Sequence, residues 1–185
     1  MRSQHYFTDN FYVSNTAGFT NYAYEVNTNS DFVSINLQSG IQDFTSRSDF
    51  IYDWSEQNSL SGGLSFKRQR FSLNQVEGGN ENKDVHFESG NFDEASEYAA
   101  YISNQFSGSF AQLEAGVRIS SFDNNGSFTG IEPRVNWVLW PSSPFSIKGS
   151  YSEAYQYVHL LSNSGVSLPT DFWYPTNEFI DTQLS

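Results

Sequence analysis

From Ala111 to Ile119 the odd positions (Ala111, Leu113, Ala115, Val117, Ile119) are apolar. The even positions between them (Gln112, Glu114, Gly116, Arg118) are polar or lack a side chain. Alternation with period two is the signature of a β-strand, whose successive side chains leave opposite faces. A helix would scatter Glu114 and Arg118 among the apolar residues and leave no stripe. The run is longer than the roughly five or six residues usual for a soluble strand. It matches the about 9–11 that a tilted strand needs to cross a bilayer.

The same pattern recurs along the chain. Phe11–Val26 is dense in aromatics, and Phe32–Leu37 alternates briefly. Phe44, Phe50, Tyr52 and Trp54 share one parity, with Asp43, Arg47, Asp49 and Asp53 on the other. Leu60, Leu64 and Phe66 form an apolar face that ends at Lys67–Phe71, as leaving hydrocarbon would require. Tyr98, Ala100, Ile102 and Phe106 precede the central run. Ile131, Pro133, Val135, Trp137 and Leu139 follow it, and then Phe145–Tyr151, continuing through Tyr155 and Tyr157. That makes about seven strands and a stub at Asp181–Ser185. Pro133 lacks an N–H, so its position must coincide with a bulge or an unpaired site.

Connections differ in size. Turns at 55–58, 107–108 and 141–144 are short, 123–129 is intermediate, and 27–39, 72–94 and 158–180 are long. In Asp123–Gly126 the Asn-Gly pair supplies a positive φ cheaply. Short turns at one end and long loops at the other are the asymmetry of outer-membrane barrels. The expected fold is all-β: an antiparallel transmembrane β-barrel segment of about seven long strands in a meander. A two-residue turn at Ser107-Gly108 sets Glu97 opposite Arg118, Tyr101 opposite Glu114 and Ile102 opposite Leu113.

Composition sharpens this reading. Aromatic residues make up 17% of the chain, which suits interfacial girdles. The mean hydropathy of −0.52 is no obstacle, because half of each barrel strand faces water. No apolar run is long enough for a transmembrane helix. A net charge of −12 argues against nucleic acid as a partner. With no cysteine, disulfides and thiol chemistry are excluded. His5, His86 and His159 lack ligand spacing, so neither a metal nor another cofactor is expected. The carboxylates recur at strand spacing and not as an isolated glycosidase pair, so no enzyme activity is expected.

The candidate site is a polar wall facing a lumen: Asp49, Glu97, Glu114, Arg118, Glu132, Arg134 and Lys148. These side chains either contact a plug or passing solute, or satisfy one another across strands. Asp171, Trp173 and Tyr174 lie in a long loop, where aromatics could stack on a sugar or peptide or anchor the loop at an interface.

Short motifs in order carry a family resemblance. GIEPRVNW (130–137) resembles the "EPR" strand of TonB-dependent outer-membrane receptors. SIKGSYSEAYQYVHLLSNSG (146–165) and LPTDFWYPTNEFI (168–180) resemble the strand and loop that follow it in the Bacteroidetes-type members. SEYAAYISNQF (96–106) and VEGG (76–79) fit the same register. The resemblance implies active nutrient uptake across the bacterial outer membrane, powered through TonB. Residues 1–185 would then be a partial barrel domain with no plug, TonB box or signal peptide. Its partners would be outer-membrane lipid and lipopolysaccharide, the remaining barrel strands and the plug, with TonB reached only through a missing N-terminal part. A complete small barrel of about eight strands, serving as anchor or passive pore, and a secreted glycan-binding β-sandwich are the alternatives.

Overall fold

The structure, a computed structural model, describes residues 1–29, 34–79, 86–161, 172–177 and 182–184. Every regular element among them is a strand. Eight form one antiparallel meander in strictly sequential order. They are β1 (Arg2–Thr8), β2 (Phe11–Asn29), β3 (Ser34–Ser55), β4 (Asn58–Gly79), β5 (His86–Ser107), β6 (Ala111–Asp123), β7 (Ser127–Leu139) and β8 (Ile147–Ser152). Four short strands follow: β9 (Tyr155–Gln156), β10 (Val158–Leu161), β11 (Phe172–Pro175) and β12 (Gln183–Leu184). Of these, β10 pairs with β11 and β9 with β12.

The eighth strand of the sheet is β1, which the alternation did not reveal because polar residues occupy both parities, Arg2 and Gln4 on one and Ser3 and His5 on the other. Two expectations about where strands end are corrected. The described parts of 27–39 and 72–94 are strand and not loop: β2, β3, β4 and β5 run on as paired arms up to residues 29, 34, 79 and 86. Loss of the apolar face marks a change of surroundings and not the end of pairing, since backbone hydrogen bonds need no apolar side chain. Bulges between Gln38 and Gly40 and between Leu73 and Val76 lie where the arms begin. The last long strand stops at Ser152 and does not continue through Tyr155 and Tyr157. The Asp181–Ser185 stub contributes β12, outside the main sheet.

Pro133 explains the end of β8. Its carbonyl accepts from Glu153 N–H at 3.0 Å, so its nitrogen also points toward the β8 side, where it has no proton to return. The ladder stops there because the next reciprocal bond cannot form. In the 124–126 turn the positive φ belongs to Asn125 (51°), and Gly126 does not need one. Trp140, at the β7–β8 turn, also has positive φ (53°). Its N–H donates to Phe110 C=O, and the two rings meet edge to face at 5.8 Å.

The register of the β5–β6 hairpin differs from the two-residue turn. Glu97 faces Phe122, Tyr101 faces Arg118 and Gln105 faces Glu114. The turn is wider, closed by Gly108 N–H donating to Ala111 C=O at 2.8 Å. The displacement is even, so every side chain keeps its face.

Those faces are inverted relative to a water-soluble sheet. On the apolar face Leu64 is 66% exposed, Ile131 59% and Ile119 50%. The polar face carries the buried side chains, among them Ser120, Gln69 and Glu132. Among the described residues, no charged side chain lies on the apolar face between Trp54 and Phe44 of β3, or between Leu139 and Ile131 of β7. The band ends along one row of paired residues, Phe66–Tyr98–Ser121–Thr129. Beyond it come Arg68, Ser96, Asp123 and Ser127. Aromatic side chains, Trp54, Phe110, Trp140 and Phe145, stand exposed at the short-turn end.

Candidate functional site

Antiparallel pairing brings one row of polar-face residues into line across five strands: Asp49, Gly63, Tyr101, Arg118 and Glu132. Gly63 is what lets the first half of this row connect. A Cβ there would lie 2.7 Å from both Asp49 Oδ1 and the Tyr101 ring. Without it, Tyr101 crosses over β4 and its hydroxyl donates to Asp49 Oδ1 at 2.7 Å. Arg47 binds Asp49 through Nε at 2.7 Å and donates to the Tyr101 oxygen at 3.2 Å.

In the second half, Arg118 is clamped between two carboxylates. Its Nη1 donates to both oxygens of Glu132, at 2.8 and 2.9 Å, and its Nη2 to Glu97 at 2.6 Å. Glu132 is only 5% exposed, so the charge it carries depends on this pairing. Ser120 donates its single proton to Glu132 at 2.6 Å. The Tyr157 hydroxyl, 2.8 Å from Ser120 Oγ, must therefore act as donor to Ser120. The result is an ordered chain, Tyr157 to Ser120 to Glu132, with Arg118 and Glu97 behind it.

Tyr157 belongs to the segment that returns over the polar face after β8. Its ring stacks on Phe122 at 5.1 Å and 3°. Next to it, the Tyr155 ring occupies the place a side chain at residue 130 would take, which only Gly130 leaves open. Phe71, Ala95, Phe122 and Tyr157 form a small apolar core there. Burial pushes the Tyr157 phenol above its ordinary range. The segment is tied down a second time: Thr176 N–H donates to Tyr157 C=O at 2.7 Å, and His159 Nε2 lies 3.1 Å from Thr176 Oγ1. Asn124 donates to Thr176 C=O and to Asp93, each at 3.2 Å.

Between the sheet and this returning segment lies a half-open cavity of about 660 Å³, lined by Tyr22, Asp43, Lys67, Gln69, Tyr155 and Tyr157 among others. Gln69 is 3% exposed and donates to Asp43 at 3.0 Å, while its Oε1 has no partner among the described residues. Lys67 sits directly opposite Glu97, yet Glu97 is taken by Arg118. The cavity thus offers an ammonium group and tyrosine rings.

Of the residues singled out from the sequence, Asp49 joins the Arg47–Tyr101 cluster, and Glu97, Arg118 and Glu132 form the second cluster. Glu114 accepts from Asn136 at 3.2 Å, apart from both. Arg134 faces Gly116 and Ser152, and Lys148 faces Val138, on the same face but outside both clusters. Asp171 lies outside the described residues. Trp173 is in β11 opposite Leu160. Tyr174, opposite His159, accepts from Asn177 at 3.2 Å. Sequence reading missed Ser120, Tyr101, Gln69 and Tyr157. The first three are uncharged members of alternating strands, and Tyr157 looked like the tail of β8.

The chain matches no protein-family model, no curated protein and no solved structure.

Proposed function

We propose that this chain is part of the wall of a TonB-dependent outer-membrane transporter, with its apolar face in lipid and its polar face toward an aqueous lumen. One observation carries the membrane part: among the described residues the sheet exposes a charge-free apolar band and sets the half-buried ion pairs of Arg118 with Glu97 and Glu132 on its other face. That is the inverse of a sheet in water and the arrangement a barrel in lipid requires. The band on β6, Ala111–Ile119, fits a bilayer crossing. The ordered motifs of residues 76–79, 96–106 and 130–180 support the transporter part.

β1 and β8 stand at opposite ends of the strand order, which favours a stretch of a larger wall over a closed eight-stranded barrel. Open edges cannot face hydrocarbon, so further strands would continue the wall on both sides. In this reading the cavity at Lys67, Gln69 and the tyrosines lies on the solute path.

The test uses cells expressing the full-length protein that contains this chain. Outer-membrane fractionation should recover it as a heat-modifiable band on denaturing gels. Deleting it, or deleting TonB, should leave the same nutrients undepleted in a complex medium, as read by mass spectrometry. Recovery in the aqueous fraction would sink the membrane reading; depletion independent of TonB would sink the transporter reading alone.

A further inference from the structure

One row of paired residues crosses β1–β7 on the apolar face and changes character along its length. On β4–β7 it carries Leu64, Ala100, Ile119 and Ile131, all apolar. On β1–β3 the same row carries Ser3, Asn15 and Ser48. The adjoining row adds Ala17 and Ser46, both small. Apolar residues bound this patch along each strand. Val13 and Phe50 stand toward the short-turn end, and Phe19 and Phe44 stand on the other side. The patch is therefore a polar island inside the apolar band and not the margin of that band.

The island is half satisfied. Ser48 Oγ donates to Asn15 Oδ1 at 2.7 Å. Among the described residues the Asn15 NH2 group has no acceptor, and nothing donates to Ser48 Oγ. Both side chains are exposed. Acyl chains offer neither a donor nor an acceptor, so polar groups left open at this level are costly in lipid and favour a polar surface laid against them.

We infer that this island is where two copies of the chain meet in the membrane, face to face about a two-fold axis. The inference rests on the membrane reading above. The open groups select the occupant. An unspent donor, Asn15 NH2, stands beside an unspent acceptor, Ser48 Oγ. A two-fold axis sets each of them against its complement in the other copy, so the patch matches itself. Ala17 and Ser46 let two backbones approach closely, as small residues do where transmembrane segments pack. No outward side chain from Phe11 to Ala23 of β2, or from Gln42 to Tyr52 of β3, is charged. Two chains of net charge −12 thus meet here without setting like charges together. The apolar half of the row has no open polar group and stays against lipid.

The full-length protein, carrying one fluorophore per chain and reconstituted in phosphatidylethanolamine–phosphatidylglycerol vesicles, tests this by stepwise photobleaching over a series of protein-to-lipid ratios. The wild type should form dimers that dissociate on lipid dilution. Asn15→Leu removes the amide from an exposed position and should weaken association roughly tenfold, the scale of a pair of polar contacts between membrane segments. Ala17→Trp, which holds the two faces apart and leaves Asn15 in place, should weaken it as well. Leu64→Ala, on the same row but outside the island, should dimerise like the wild type. A wild type that stays monomeric at every ratio, or dimers indifferent to Asn15→Leu and Ala17→Trp, would overturn the inference. So would an equal loss in Leu64→Ala, which marks a general apolar contact. The heat-modifiable band shows that each variant is folded and inserted, so a folded monomer sinks this inference alone. A wild type that does not enter vesicles sinks it together with the membrane reading.

Discussion

Arg118 faces Tyr101 across the β5–β6 ladder, but its ion pair is with Glu97, which sits farther along β5 opposite Phe122. The guanidinium reaches along the strand because its other side is occupied by Glu132, its direct partner on β7. One arginine thus ties three strands together.

Replacing Arg118 by Met should therefore cost more than an exposed pair is worth. It leaves Glu132 buried beside an uncharged side chain, a loss of about 3–5 kcal/mol where a buried pair is broken. The additional change Glu132→Gln should recover much of this, because no unpaired charge remains. Urea unfolding of the reconstituted full-length protein measures both; equal destabilisation by single and double variants would contradict the clamp.

The lipid-facing assignment predicts an asymmetry between neighbouring positions on one strand. Val117→Arg places a charge in the apolar band and should cost about 2–4 kcal/mol near the bilayer midplane. Gln112→Arg, at an exposed polar-face position, should change stability by less than about 1 kcal/mol. Unfolding in lipid vesicles reads both values. Similar costs at the two sites would refute the facing of β6.

Much of the fold was legible because alternation is a local signal. The parity of Leu113, Val117 and Ile119 fixed the apolar face of β6, and the structure keeps that face although the hairpin register differs. Register itself was not legible. The Glu97–Arg118 pair suggested direct opposition, but a long arginine satisfies the same carboxylate diagonally, so charge pairing cannot distinguish even displacements. The polar arms of β2–β5 were hidden because the alternation that reveals a strand depends on having one apolar side. The site was half visible: Asp49, Glu97, Arg118 and Glu132 carry charges at strand spacing. Ser120 and Tyr157 meet only because β8 ends at Pro133 and the chain turns back, an arrangement set by contacts distant in sequence.

Topology gives a third expectation. The 124–126 turn and the 141–146 connection lie at opposite ends of β7. In intact cells carrying the full-length protein, Asn125→Cys should react with a membrane-impermeant maleimide, and Ser142→Cys only after the outer membrane is permeabilised. The opposite labelling would invert the orientation while leaving the sheet unchanged.

The hydrogen-bond order at Tyr157 yields a pH dependence. The phenol sits on the returning segment, outside the strands read as spanning, and burial holds its pKa above the ordinary value of about 10. Below that value both folded and unfolded chains keep the proton, and the Tyr157–Ser120–Glu132 chain is complete. As pH rises past it, the unfolded chain ionises first, so the contribution to stability declines until the folded phenol also titrates. A phenolate could not donate to Ser120, whose own proton is already committed to Glu132. Tyr157→Phe keeps the stacking on Phe122 and should cost about 1 kcal/mol at neutral pH for the lost hydrogen bond. It should also remove its share of the alkaline decline. Unfolding midpoints measured from pH 8 upward for both proteins decide the matter: parallel curves would show that Tyr157 does not govern the alkaline limb.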